Sequence, residues 1–316
     1  NSIIKTELRK KLSQDYIGET YCYGRQGTPE ANCIYFDTKD EAKYIYQTDG
    51  LSFIPNDLSR IISINGPFDY WNKKPIDHYP YNNPKYTKYV DKYEVRDYIK
   101  ETIGEEYLIP LLGVWDNAND IDFNTLPQKF VLKNTHDSGS VIICKDKDHF
   151  DKQAAVEKLN KKLKRDMFYW SREWPYKNVE RKIICEEFMQ DQNFDVLNVY
   201  KVLNFNNGEQ IVQVIQDDKT ENESIDYFDI NWNRLDLRQN YPNSQHPLPK
   251  PKTLEEMLEL AKKLSEGFPF LRTDFYEING KVYFSEFTFF SDAGLAKFTP
   301  DEWDEKLGSW IKLPNK

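Results

Sequence analysis

The stretch Phe270-Leu-Arg-Thr-Asp-Phe-Tyr276, the dipeptide Asn279-Gly280 and the stretch Tyr283-Phe-Ser-Glu-Phe-Thr288 constrain the fold most. Asn-Gly between two strand-like runs is a strong hairpin signal, and strand side chains alternate between faces. Even positions collect Arg272, Asp274, Glu286 and Thr288, whereas odd positions collect Leu271, Phe275, Phe287 and Phe289. A strict two-residue turn pairs 278 with 281 and sends Glu286 to the apolar face, beside Leu271 and Phe275. Burying an unpaired carboxylate there is costly, so an odd-length loop or a bulge is expected at this turn. With that correction two carboxylates and a hydroxyl converge beside one arginine. Such hard oxygen donors suit Mg²⁺, and Arg272 can offset charge that builds up in phosphoryl transfer. The rival reading is an Arg–Asp–Glu salt-bridge network on a sheet face.

Three further features precede this hairpin. Lys133 ends the strand-like run Lys129-Phe-Val-Leu-Lys133, and a loop of small residues follows, His136-Asp-Ser-Gly-Ser140. Backbone N–H groups of such a loop, Ser138, Gly139 and Ser140 among them, can wrap phosphate oxygens beside a lysine charge. A solvent-exposed hairpin tip is the alternative, and GxxxxGK[ST] is absent. The apolar run Ile183-Ile-Cys-Glu-Glu-Phe-Met189 ends in two carboxylates, of which Glu186 or Glu187 could accept from ribose hydroxyls while Phe188 and Met189 meet a base edge; solvated acids at a strand end are the alternative. Lys201 sits inside the apolar run Val199–Phe205 and needs a partner or a wet face, as a phosphate ligand or an ordinary strand residue.

The 316 residues exceed one usual core, so two or three lobes are expected. Residues 2–14 read as an amphipathic helix, and 1–88 as a small N-terminal lobe containing the strand-like run Arg60–Ile64. Asn82-Asn83-Pro84 marks a joint, after which 89–190 form a nucleotide lobe and 191–316 a catalytic lobe. Helices are expected from Asp91 to about Glu101, over 151–165, and from Thr253 to about Ser265 with Leu254, Met257, Leu258, Ala261 and Leu264 inward. Strands are expected at 129–133, 141–144, 181–188, 196–206, 210–216, 270–277 and 281–290, and a long ordered loop at 218–252. Hairpins without a clean βαβ alternation give α+β lobes with antiparallel sheets.

Composition excludes several classes. The net charge of −9 argues against non-specific nucleic-acid or anionic-lipid binding, and the basic stretch Lys158–Arg165 reads as a solvated helix face. No run approaches the length of a membrane span. Cys22, Cys33, Cys144 and Cys185 lack zinc spacing and read as buried thiols of a reducing compartment, hence a soluble cytoplasmic protein. His78, His136, His149 and His246 form no metal cluster; His136 alone falls where it can touch substrate or phosphate. A start at Asn1 without methionine suggests a processed end or a domain cut from a larger polypeptide.

Taken in order, Tyr89-Val-Asp-Lys-Tyr-Glu-Val-Arg-Asp-Tyr98, Gly104-Glu-Glu-Tyr-Leu-Ile-Pro110, Phe130-Val-Leu-Lys-Asn-Thr-His-Asp-Ser-Gly139, Arg272-Thr-Asp-Phe-Tyr276 and Phe284-Ser-Glu-Phe-Thr-Phe289 resemble the ATP-grasp superfamily, specifically its TupA-like branch linked to cell-surface polysaccharide synthesis. The resemblance covers roughly 84–313, including Gly294, Phe298, Pro300 and Leu307-Gly308. It implies an ATP-grasp fold, with ATP held between two α+β lobes. It also implies Lys92 and Lys133 on the nucleotide, Glu186 to Met189 as the adenine hinge, and Lys201 on the phosphates. Asp274 and Glu286 would bind one Mg²⁺ ion or two, with Thr288 in place of the Asn of many relatives, and Arg272 would steady an acyl phosphate. Two positions depart from the branch: Val199 replaces the Asp of Asp-Tyr-Lys, and Ser285 replaces a Gly.

The implied activity is an ADP-forming carboxylate–amine ligase. The implied acid is a uronic acid of a capsular or cell-surface polysaccharide or its sugar-nucleotide precursor, and the amine an amino acid, amino alcohol or amino-alcohol phosphate. In that reading Arg272, Lys201, His136 and Ser138 serve the chemistry, and the chain suits a domain of a larger polysaccharide-synthesis protein. The 218–252 loop, with Trp232 and Arg234, is expected to cover the acceptor. Rival readings are a sugar or glycan kinase, a glycosyltransferase using Asp120-Ile-Asp122 or Asp146-Lys-Asp148, and a non-catalytic carbohydrate-binding module suggested by 7 Trp and 21 Tyr.

Overall fold

A computed structural model describes residues 21–22, 33–34, 86–165, 167, 173–176, 178–192, 194, 196–217, 221–291 and 298–312. The helix expected at 2–14 and the strand at 60–64 lie outside these residues. Two antiparallel sheets dominate, flanked by helices, so the α+β expectation holds.

The chain enters through α1 (Thr87–Val90) and α2 (Val95–Thr102). Asp91 lies between them, its Oδ1 accepting from the amides of Tyr93 and Glu94, so it caps the turn and α2 starts four residues later than the sequence suggests. The first sheet contains β1 (Leu111–Trp115), β2 (Phe130–Asn134), β3 (Ile142–Cys144) and β4 (Ile183–Glu187), in the order β1-β4-β2-β3. Helix α3 (Lys152–Leu163) begins at Asp151, whose carboxylate accepts from the Ala154 amide. Phe130, Leu132, Ile183 and Cys185 form one core with Leu159 of α3 and Phe123. Alternation therefore leaves Val131, Lys133, Ile184 and Glu186 on the opposite face, and the register pairs Val131 with Glu186 and Lys133 with Ile184.

The second sheet contains β5 (Val199–Phe205), β6 (Gln210–Gln216), β7 (Ser224–Phe228), β8 (Phe270–Ile278) and β9 (Lys281–Thr288), in the order β9-β8-β5-β6-β7. Helix α4 (Leu254–Leu264) buries Leu254, Met257, Leu260, Ala261 and Leu264 in the core that holds Leu271 and Phe275 of β8. Leu260 takes a buried place where Leu258, only partly buried, was expected. Each fully buried Leu or Met there contributes roughly 1.5–3 kcal/mol. Thr253 precedes α4, but its hydroxyl donates to Glu277 at 2.6 Å and does not cap the helix. Helix α5 (Glu302–Trp310) closes the chain, with Trp310 against Phe205.

The segment 218–252 is not one long loop. It contains β7, the fifth strand of the sheet, and Arg238–Gln239, which pairs with Phe298–Thr299. Five residues interrupted by Asp226 carry too short an alternation to stand out; pairing with β6 supplies what local pattern lacks. Trp232 stacks on Phe228 at 4.1 Å and donates to the Leu248 carbonyl, while Arg234 pairs with buried Asp226 at 2.7 Å. These side chains fasten the segment to the sheet.

Candidate nucleotide and metal site

The β8–β9 hairpin turns at Asn279-Gly280, both at positive φ (51° and 75°), and Ile278 pairs directly with Lys281. The turn is thus a strict two-residue one, and the expected irregularity lies elsewhere. Phe275 pairs with Phe284, but Asp274 pairs with Glu286, so a bulge sits at Ser285. The single extra residue resets the faces. Arg272 lies opposite Thr288, Asp274 opposite Glu286, and Leu271, Phe275, Phe284 and Phe287 are all buried on the other side. On its other flank Asp274 pairs with Lys201 of β5.

Asp274 is the hub, at 1% exposure. Arg272 reaches it with Nε at 2.7 Å and an η nitrogen at 2.9 Å, and Lys201 Nζ at 2.6 Å. Burial opposes ionisation of Asp274, but Arg272 and Lys201 outweigh it and hold the carboxyl below its ordinary range. Arg272 also donates to Ser291 at 3.1 Å and lies 3.9 Å from Glu286. Glu286 is different: its side chain is 38% exposed, and the Arg272 and Lys92 cations stand 3.9 and 4.0 Å from it. Among the described residues no group of three or more His, Cys, Asp or Glu could hold a metal by itself. Two carboxylates with a threonine hydroxyl, one of them open, form an oxygen donor set that fits a Mg²⁺ completing its shell with substrate phosphates.

Lys92, from the turn between α1 and α2, comes within 4.0 Å of Glu286. Lys92 donates its Nζ to the Asp137 carbonyl at 2.6 Å, and its amide bonds the Thr135 carbonyl, so it is pinned to the 135–140 loop. Within that loop Ser138 and Gly139 are exposed, and Gly139 has φ +81° with open space where a Cβ would stand. Ser140 is turned inward: its hydroxyl bonds Asp137 and accepts from the Asn134 amide. His136 is turned inward too, at 2% exposure, with Nε2 3.0 Å from the Arg165 carbonyl. Burial lowers its pKa, so the ring is neutral and braces the loop from behind. Both side chains are thus buried in the loop, at 2% exposure each.

Lys133 pairs with Glu186 at 2.6 Å. Burial by itself would lower the Lys133 ammonium, but Glu186 foremost, with Glu286 adding, holds it above the ordinary lysine value. The other Glu186 oxygen binds Arg96 at 3.2 Å, and the same guanidinium donates to the Ile109 carbonyl at 2.8 Å. Glu186 is therefore consumed by two cations, whereas Glu187 is exposed at the end of β4, with Phe188 and Met189 half-buried after it. Beside them Val131 pairs with exposed Ile143 (53%), and Val141 next to it is also exposed (45%). These apolar side chains suit the flat face of a base, and alternation from Lys133 would have found Val131. Tyr176, likewise not anticipated, is pushed well above the ordinary phenol range by burial, then Glu173 and Glu286, and stays a neutral hydroxyl.

Of the acids proposed for a sugar-nucleotide metal, Asp122 and Asp146 cap turns. Asp146 accepts from the Asp148 amide and pairs with His149, and Asp122 accepts from the Asn124 amide.

The family model described as TupA-like ATP-grasp matches residues 72–312. The chain belongs to that family and has its ATP-grasp fold. No curated protein matches the sequence. Among solved structures, the D-alanine–D-alanine ligase of Helicobacter pylori is 16% identical with a TM-score of 0.41, over 72% of this chain and 60% of that one. An L-amino acid ligase of Bacillus licheniformis is 15% identical with a TM-score of 0.36, over 63% of this chain and 42% of that one. The chain thus spans three-fifths or less of the length of these ligases.

Proposed function

We propose that the protein is an ATP-dependent carboxylate–amine ligase that works through an acyl phosphate. The observation that carries this reading is the direct pairing of Asp274 with Glu286, flanked by Arg272 and Lys201, on one sheet face. Lys92, Lys133 and the exposed backbone of Ser138-Gly139 hold the phosphates, Glu187 the ribose, and Val131, Ile143 and the 188–189 backbone the adenine. Mg²⁺ on Asp274 and Glu286, with Thr288 beside them, would neutralise the γ-phosphate. A substrate carboxylate oxygen attacks the γ-phosphorus and ADP leaves; an amine then attacks the acyl carbon and phosphate leaves, with its surplus proton passing to solvent. Arg272 and Lys201 steady the charge that moves from one oxygen to the next, and no protein nucleophile is needed.

For the acid we propose a uronic acid of a surface glycan or its sugar-nucleotide precursor, and for the amine an amino acid, amino alcohol or its phosphate. The setting is cytoplasmic, and no helix among the described residues is long and apolar enough to cross a membrane. Uronic acids crossed with amines, in the presence of ATP and Mg²⁺, test both parts by phosphate release and product mass. Release that requires acid and amine together supports the ligase. ADP formed together with a phosphorylated sugar, with no amide product and no free phosphate, overturns it in favour of a kinase.

A further inference from the structure

Arg96 lies at the start of α2 with its side chain 15% exposed, and Glu186 lies on β4 with its side chain 8% exposed. One Glu186 oxygen takes Arg96 at 3.2 Å and the other takes Lys133 at 2.6 Å. The guanidinium has a second anchor in the Ile109 carbonyl at 2.8 Å, so its placement does not depend on Glu186 alone. The three charges sum to +1. Two cations on one carboxylate leave the Lys133 ammonium only partly neutralised, with donors to spare, since an ammonium carries three.

We infer that Arg96 is a positioning residue for nucleotide binding: by sharing Glu186 it keeps Lys133 available to a phosphate. The inference rests on the nucleotide reading above. It follows from charge counting at a poorly exposed site, where water cannot screen the balance. Without Arg96 the pair Lys133–Glu186 is neutral, and an incoming phosphate competes with a carboxylate for its own ligand. Removing the Glu186 charge as well returns the group to +1, now carried by Lys133 alone. A second lesion should therefore repair the first, which no purely structural role of Arg96 would do.

The test is calorimetric titration with a non-hydrolysable ATP analogue and Mg²⁺. Arg96→Met should weaken binding roughly tenfold or more, as for one charge-assisted hydrogen bond lost. The double variant Arg96→Met with Glu186→Gln should recover most of that loss, and Arg96→Lys, which keeps the charge, should stay within about threefold of wild type. Thermal unfolding of each variant accompanies the titration, and Arg96→Lys carries the test if Arg96→Met does not fold. The inference is overturned if the folded double variant binds as weakly as the single one, if Arg96→Met binds like wild type, or if Arg96→Lys binds as poorly as an unfolded control. Failure of the ATP reading is distinguishable, because the wild-type protein alone would then show no titration.

Discussion

Asp274 and Glu286 face one another across two strands, yet they should respond differently to the same substitution. Asp274 is 1% exposed and pairs at short range with both Lys201 and Arg272, whose side chains are 13% and 11% exposed. Asp274→Asn removes the carboxylate that both poorly solvated cations contact directly, which costs about 3–5 kcal/mol. Glu286 has a 38% exposed side chain with cations near 4 Å, so Glu286→Gln should cost under about 1 kcal/mol. Both should abolish ATP turnover. Denaturant midpoints settle the contrast, and equal losses of stability would refute the burial argument. His136 adds a pH dependence. Burial first, and Arg181 and Lys92 after it, lower its pKa, while Asp137 and the Arg165 carbonyl oppose them. A histidine that folds neutral gains no proton in the native state as pH falls below its unfolded value of 6.5, whereas the unfolded chain does. Stability is thus lost on acidification through 6.5 towards the lower folded value. His136→Gln should lose less stability than wild type between pH 7.5 and pH 5 in thermal melts at matched salt; parallel profiles would show the ring is not the titrating group.

At the scale of elements, the hairpin shows what local pattern can and cannot reveal. The conflict between an Asn-Gly turn and the place of Glu286 is visible in the sequence, because alternation makes a misplaced carboxylate expensive. Its resolution at Ser285 and not at the turn is not visible, since either position restores the faces. Strands with long alternation, such as β8 and β9, are legible for the same reason, and β7 is not, because its partner lies in another segment. The turn itself has a second duty. The Asn279 amide donates to Asp191 at 2.6 Å, its side-chain oxygen accepts from the Gln192 amide at 2.9 Å and its side-chain nitrogen donates to the Gln190 carbonyl at 3.2 Å. The hairpin tip is thereby clamped to the segment that follows β4. Asn279→Gly keeps the positive φ but loses two side-chain bonds, for about 1–2 kcal/mol. Asn279→Ala adds left-handed strain and should cost about 1 kcal/mol more. Urea midpoints should fall in the order wild type, Gly, Ala; a glycine variant as stable as wild type would show that the clamp contributes nothing.

For the molecule as a whole, the cations of the site come from separate elements: Lys133 from the first sheet, Lys201 and Arg272 from the second, and Lys92 from the turn between α1 and α2. The residue types at the site were legible because each breaks the apolar pattern of its strand, as Lys133, Lys201 and Asp274 do. Their pairings were not, because Arg96 and Glu186, or Lys201 and Asp274, are brought together across 90 and 73 residues by the fold alone. Those pairings predict an order of binding. Both oxygens of Asp274 are engaged by Arg272 and Lys201, so a divalent ion arriving alone must displace two cations that already hold them. On the proposed function a nucleotide would change this, because its phosphates would accept those cations and offer the metal further oxygens. Mn²⁺ followed by electron paramagnetic resonance should show at most millimolar affinity in the nucleotide-free protein, and a gain of about tenfold or more with ADP or a non-hydrolysable ATP analogue, equivalent to about 1.4 kcal/mol of coupling. The same coupling must appear as tighter nucleotide binding when the metal is present, since linkage is reciprocal. If nucleotide-free protein bound Mn²⁺ as tightly as the complex, Arg272 and Lys201 could not be the ions that guard Asp274.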